Sequence, residues 1–237
     1  MRSLLMLAGL ALGACTSALG GSGEAGPVVQ RSFEAGDFAS VRAEGAHDVI
    51  VTVGGAPSVR AEGQAEELDR LDIRVEDGVL IIKTRREARD WVRNRGVVTV
   101  HVSAPRLEGA AIAGSGDMRI DRVQAPRFSA SISGSGDMAI AAHEAGQASF
   151  AIAGSGDIET GSGSAETTDI SIAGSGSVAL GALQSRRASV SVAGSGDISL
   201  QASESVDGSL MGSGDLRVTG AARCSVTKMG SGEISCG

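Results

Sequence analysis

The chain has no tyrosine, one tryptophan (Trp91) and four phenylalanines in 237 residues. Binding clefts are built largely from hydrophobic and aromatic side chains, so this scarcity counts against an aromatic-rich lectin or glycanase groove. Histidine is also rare: His47, His101 and His143 stand in unrelated contexts, without the spacing of metal ligands. Serines are many, but no Gly-x-Ser-x-Gly elbow precedes a helix, so a hydrolase nucleophile has no local signature. Positive charge is in deficit, 21 Lys and Arg against 28 Asp and Glu, a net charge of −7. That balance argues against nucleic acid as the main partner. The C-terminal half lacks the 3.6-residue periodicity that an α-solenoid requires. The apolar run Leu4 to Leu12 is too short to cross a membrane.

What the chain does have is punctuation. Gly-Ser-Gly-Asp or a close variant starts at Gly114, Gly134, Gly154, Gly174, Gly194, Gly212 and Gly230, with spacings of 20, 20, 20, 20, 18 and 18. A fixed period near 20 marks a stack in which each repeat is one coil and neighbours bury a shared core. Two residues before the first glycine stand Ile112, Ile132, Ile152, Ile172, Val192 and Leu210; four after it stand Met118, Met138, Ile158, Val178, Ile198, Leu216 and Ile234. Six after it come Ile120, Ile140, Thr160, Leu180, Leu200, Val218 and Cys236. Period-two alternation on both sides of a glycine corner gives short strands with their apolar sides inward. The expected fold is therefore all-β: a single-stranded parallel β-helix of about 20-residue coils, each strand pairing with its equivalent roughly 4.8 Å away. A flexible Gly/Ser linker also produces GSG, but it has no reason to place Ile or Val at fixed offsets.

The first 14 residues read as a secretory signal: Arg2, the apolar run, then small residues before Cys15. Leu12-Gly13-Ala14-Cys15 resembles the bacterial lipobox, which implies cleavage before Cys15 and lipidation of its thiol; the competing reading is an ordinary signal peptide with a chance cysteine. A two-chain anchor there would hold the chain stably on a membrane, and Thr16 resembles outer-membrane sorting in Gram-negative bacteria. Residues 15–28 form a Gly/Ser-rich tether, 29–105 an N-terminal set of strands, and 106–237 the regular repeat. Cys224 and Cys236 are the remaining thiols. In an oxidising compartment a disulfide would staple the last repeats; alternatively both are small buried hydrophobes.

Residues 29–105 lack the GSGD corners but alternate as strands, with one helical turn expected near Glu66 to Leu71, and read as irregular coils capping the stack. The run Asp37-Phe38, Val41, Gly45, Asp48-Val49, Val59 and Gly63, then Val75, Asp77-Gly78-Val79-Leu80-Ile81, Val98-Thr99-Val100 and Pro105-Arg106-Leu107, followed by the GSGD ladder, resembles the putative auto-transporter adhesin head GIN domain family. The resemblance covers about residues 37–233. It implies a right-handed parallel β-helix at the bacterial envelope and supplies no catalytic residues.

Three constellations remain. The position after each Gly-Ser-Gly reads Asp117, Asp137, Asp157, Ser177, Asp197, Asp215 and Glu233. Stacked carboxylates repel, so either a row of cations such as Ca²⁺ lies between them, or each caps backbone N–H groups of its own turn. The residues favour the cap. A catalytic site is not expected, because coils of 18–20 residues without insertions leave no loops from which to build a cleft. The third is Lys83 to Arg95, where Lys83, Arg85, Arg86, Arg89, Arg93 and Arg95 surround Trp91. It reads as a solvated turn, or as a loop contacting phosphate-bearing partners such as lipopolysaccharide. Together these make the chain a non-enzymatic, lipid-anchored envelope protein without a cofactor, presenting a rigid surface for adhesion or scaffolding. Its partners would be the membrane, through the anchor, and an envelope glycan, lipopolysaccharide or a protein. The alternatives are a carbohydrate-active β-helix enzyme, or a cation- or lipid-binding module.

Overall fold

The structure, a computed structural model, describes residues 27–85 and 97–237. The regular stack is built from β8 (Gly109–Gly114), β9 (Met118–Ile120), β10 (Val123–Gly134), β11 (Met138–Gly154), β12 (Ile158–Gly174), β13 (Val178–Gly194), β14 (Ile198–Gly212), β15 (Leu216–Thr219), β16 (Arg223–Gly230) and β17 (Ile234–Cys236). Every neighbouring pair in this set is parallel. Like stands on like: Ile132 pairs with Ile152, Ile152 with Ile172, Ile172 with Val192, and Val192 with Leu210. In one coil Phe128, Ala130 and Ile132 point inward from the first face, Met138 and Ile140 from the second, and His143 from the third. Each large apolar side chain buried in this way contributes about 1.5–3 kcal/mol relative to exposure.

The corner needs both of its glycines, for different reasons. Gly154 has φ +143°, which L side chains rarely adopt, and a Cβ there would lie 2.1 Å from the Gly134 carbonyl oxygen. A Cβ on Gly156 would lie 2.0 Å from the Gly136 oxygen. Successive corners therefore touch backbone to backbone. The shorter coils lose their two residues away from these corners: the register between β13 and β14 shifts between Leu180 and Gln184 and again between Ser185 and Arg187, while both glycine corners stay aligned.

The N-terminal part is more ordered than irregular coils. β1 (Val28–Phe33), β2 (Ser40–Gly45), β3 (Asp48–Val53), β4 (Ser58–Gln64), β5 (Leu71–Glu76), β6 (Val79–Thr84) and β7 (Thr99–Ala104) surround one short helix, α1 (Ala65–Arg70). The coil β2–β3 stacks directly on β8–β9, with Gly45 opposite Gly114 and Val49 opposite Met118. The later coil β6–β7 stacks on the other side of β2–β3. Stack order therefore departs from chain order. Antiparallel strands then close this end: β5 on β6, β4 on β7 and β1 on β4. Such pairing covers edges that would otherwise stay open. α1 buries Leu68 and carries Glu66 and Glu67 in its first turn and Arg70 in its last, as the helix dipole favours.

At the other end a disulfide joins Cys224 and Cys236. The chain-entropy model gives a loop of this size roughly 3 kcal/mol of stabilisation. Lys228 occupies the column that holds Ile, Val or Leu elsewhere; it is exposed, and its Nζ donates to the Gly232 carbonyl at 2.8 Å.

Candidate functional site

The carboxylate row is a ladder. Asp117 Oδ1 accepts from the Asp137 N–H at 3.0 Å, Asp137 Oδ1 from Asp157 N–H at 2.9 Å, and Asp157 Oδ1 from Ser177 N–H at 2.7 Å. Beyond the break, Asp197 Oδ1 accepts from Asp215 N–H at 2.8 Å and Asp215 Oδ1 from Glu233 N–H at 2.7 Å. The expectation that each carboxylate caps its own turn is thus corrected: it caps the turn one coil further on. In-register stacking places that amide directly above the carboxylate, and a charged acceptor makes a stronger bond than a neutral one. The ladder has a further rung. Asp48 Oδ1 accepts from the Asp117 N–H at 3.3 Å, so Gly45-Ala46-His47-Asp48 is an eighth corner with His47 in place of the second glycine. Among the described residues no group of three or more His, Cys, Asp or Glu is arranged to hold a metal ion.

Each rung of the ladder needs an acceptor and not a charge. Asp137→Asn keeps an oxygen acceptor and relieves repulsion along the column, so its stability should stay within about 0.5 kcal/mol of the parent. Asp137→Ala leaves the Asp157 amide without that acceptor and should cost about 1–2 kcal/mol. Urea midpoints of the two variants make the comparison; equal losses would contradict the acceptor role.

The third corner of the coils forms a trough along the stack, with a volume of about 770 Å³. Its floor is small: Ala125, Ala145, Ala165, Ser185 and Ala202 stand in register. One wall is the row Gln124, Glu144, Ser164, Gln184 and Gln201; the other includes Glu166, Arg186 and Ser203. Arg186 donates to Glu204 Oε1 from Nε at 2.9 Å and from Nη2 at 2.5 Å, and its Nη1 lies 3.5 Å from Glu166. Arg187 donates to Glu204 Oε2 at 3.1 Å. The Arg186 hydrogen bond holds the Glu204 carboxyl below its ordinary value. The sequence reading missed this trough, although its column was visible as a small residue 11 positions after Gly114, Gly134, Gly154 and Gly174, and 8 after Gly194 in the shortened coil.

Two histidines are buried. His47 Nε2 and Thr84 Oγ1 are hydrogen-bonded at 2.9 Å; burial lowers the imidazole pKa, and Asp48 opposes the shift. His143 is 0% exposed, sits edge-on to Phe128 with centroids 5.3 Å apart, and has neither ring nitrogen hydrogen-bonded. Burial lowers its pKa to about 4.

Of the basic segment, Lys83 Nζ lies 3.7 Å from Asp72 Oδ2, and Arg85 Nη2 donates to the Asp69 carbonyl at 3.3 Å. Both cations face their own fold. Arg86, Arg89, Trp91, Arg93 and Arg95 lie outside the described residues, as does Cys15.

A family model described as "Putative auto-transporter adhesin, head GIN domain" matches residues 37–222, from the first stacked coil almost to the disulfide. The chain belongs to this family. No curated protein matches the chain. Among solved structures, a putative adhesin from Bacteroides fragilis superposes with a TM-score of 0.83 at 22% identity, over 89% of this chain and 97% of that one. A putative lipid binding protein from Parabacteroides distasonis gives 0.70 at 24% identity, over 90% and 97%. A putative adhesin from Parabacteroides merdae gives 0.71 at 16%, again over 90% and 97%. At these identities the likeness establishes the shared β-solenoid and nothing finer.

Proposed function

We propose that the chain is a non-enzymatic adhesin of the cell envelope, anchored by lipid at Cys15 and displaying its β-solenoid as a recognition surface. The observation that carries the reading is the unbroken stack from Gly109 to Cys236, whose corners stay in register with no inserted loop. Such a stack offers long, straight rows of side chains and no protruding loops that would gather acids or a nucleophile around a substrate. Small outward residues such as Ser131, Ala151, Ser171, Ser191 and Ser209 keep the first face flat. Family membership supports an external partner and a cell-surface location. The sequence of residues 1–28, with its lipobox-like Leu12-Gly13-Ala14-Cys15 and Gly/Ser tether, supports the anchor and the outer membrane as its place. The ladder geometry, with each carboxylate already bonded to a backbone amide, favours adhesion over cation binding.

The test compares cells producing the chain with cells producing Cys15→Ala. With the parent chain, an alkyne fatty-acid label should be incorporated, the protein should pellet with membranes, and cells should attach to surfaces. With Cys15→Ala, label, pelleting and attachment should all be lost. Unchanged label and pelleting in Cys15→Ala would contradict the anchor; attachment indifferent to the chain's presence would contradict the adhesin.

A further inference from the structure

We propose that the trough at the third corner is the recognition site of this surface, and that it takes an extended, uncharged polysaccharide lying along the stack axis. The inference rests on the adhesin reading and names its ligand class.

The direction comes from the register. Gln124, Glu144, Ser164, Gln184 and Gln201 are paired one coil apart, so their side chains recur at the strand spacing, roughly 4.8 Å, over about 20 Å. A ligand that meets this row must be linear and must offer a polar group at each short step. Sugar hydroxyls both donate and accept hydrogen bonds. Glutamine amides and serine hydroxyls do the same, and Glu144 accepts.

The floor excludes the main competitor, an extended peptide. Peptide strands dock by adding to a free sheet edge, but the floor residues Ala145 and Ala165 are already bonded into the coils above and below. The floor also has no pocket to receive alternate side chains, because its residues are alanine or serine. Its short side chains leave it even along the stack, which suits the edge of a sugar chain.

Charge decides the subclass. Three charged residues line the trough: Glu144, Glu166 and Arg186. Arg186 is bound to Glu204 through two nitrogens and lies beside Glu166, so no free cation is offered to an anionic polymer. Glu144 repels such a polymer, as does the net charge of −7. A neutral glycan meets neither cost. With no aromatic side chain in the trough, affinity for one binding event is low, and many copies on one surface supply the avidity.

Affinity electrophoresis of the full chain tests this, with native gels cast with hydroxyethyl cellulose, mixed-linkage β-glucan, glucomannan or dextran, and with alginate and heparin as anionic controls. Retardation is expected in at least one neutral gel and in neither anionic gel. The double variant Gln184→Ala/Gln201→Ala, on the trough wall, should lose at least five-fold in affinity with an unchanged melting midpoint. Ser164→Arg, at the trough's centre, should weaken binding similarly. Retardation of both variants equal to the parent, retardation in anionic gels alone, or none in any gel would overturn the proposal. If cells still attach through the chain while these outcomes hold, the adhesin stands and only the trough falls.

Discussion

Gly154→Ala should destabilise the chain by about 3 kcal/mol or more, placing it among the severe single substitutions. The added methyl would lie 2.1 Å from the Gly134 carbonyl oxygen and 2.9 Å from its carbon, and its backbone would be held at φ +143°. Neither insult has a cheap escape. The neighbouring atoms are backbone already bonded in the ladder, and rotating φ toward the usual region would turn the Ser155-to-Asp157 corner out of register. For a domain of this size the loss corresponds to a fall in melting midpoint of about 6–12 °C. Gly181→Ala is the control. Nothing lies within 4 Å of a Cβ placed there, and its φ lies outside the positive range that strains side chains, so its effect should stay within about 0.5 kcal/mol. A thermal melt of both variants makes the comparison. Similar midpoints for the two would mean that the corners do not hold the coils in contact.

His143 carries the second large effect, and its sign depends on pH. In the folded chain the imidazole is buried with a pKa lowered to about 4, against an ordinary value of 6.5. Between these values the unfolded chain binds a proton that the folded chain refuses, so stability falls as pH drops through that window. The full difference is about 3 kcal/mol, from about 1.4 kcal/mol per unit. His143→Leu removes the titrating group and the two unpartnered nitrogens while keeping an apolar side chain, as at Leu183 in the same column. The variant should be more stable than the parent at pH 7 by about 1–2 kcal/mol. Its advantage should widen to about 4 kcal/mol at pH 4.5. Because every other ionisable group is common to both proteins, the difference between parent and variant isolates His143. Urea unfolding at pH 7 and pH 4.5 measures it, and a parent-to-variant difference that does not change with pH would contradict a buried neutral imidazole.

The repeat made the stack legible because each column obeys one rule: apolar where the side chain points inward, glycine where two backbones touch. Ile152 and Gly154 could each be assigned by counting from a neighbour 20 residues away. Two features escaped because they depend on relations the period does not encode. The first is stack order. Nothing local in Val79 to Ala104 says that its coil lies beyond β2–β3, since that follows from the parallel pairing of β6 with β2 and of β7 with β3, strands about 40 to 50 residues earlier in the chain. The second is the eighth corner, where His47 hides the Gly-x-Gly signature and Asp48 completes the ladder. The direction of the carboxylate caps was missed for a related reason: an Asx turn is a local habit, while stacking supplies a closer amide one coil away. The trough was written in the alanine column, but small residues at a corner read as turn chemistry until the coils are stacked.

The most direct test of the account is to sediment the purified chain with isolated cell envelopes while assaying the supernatant for new reducing ends. The expected result is saturable co-sedimentation with no product released, however long the incubation. A chain that stays in solution, or reducing ends that accumulate with time, would contradict a surface built to bind.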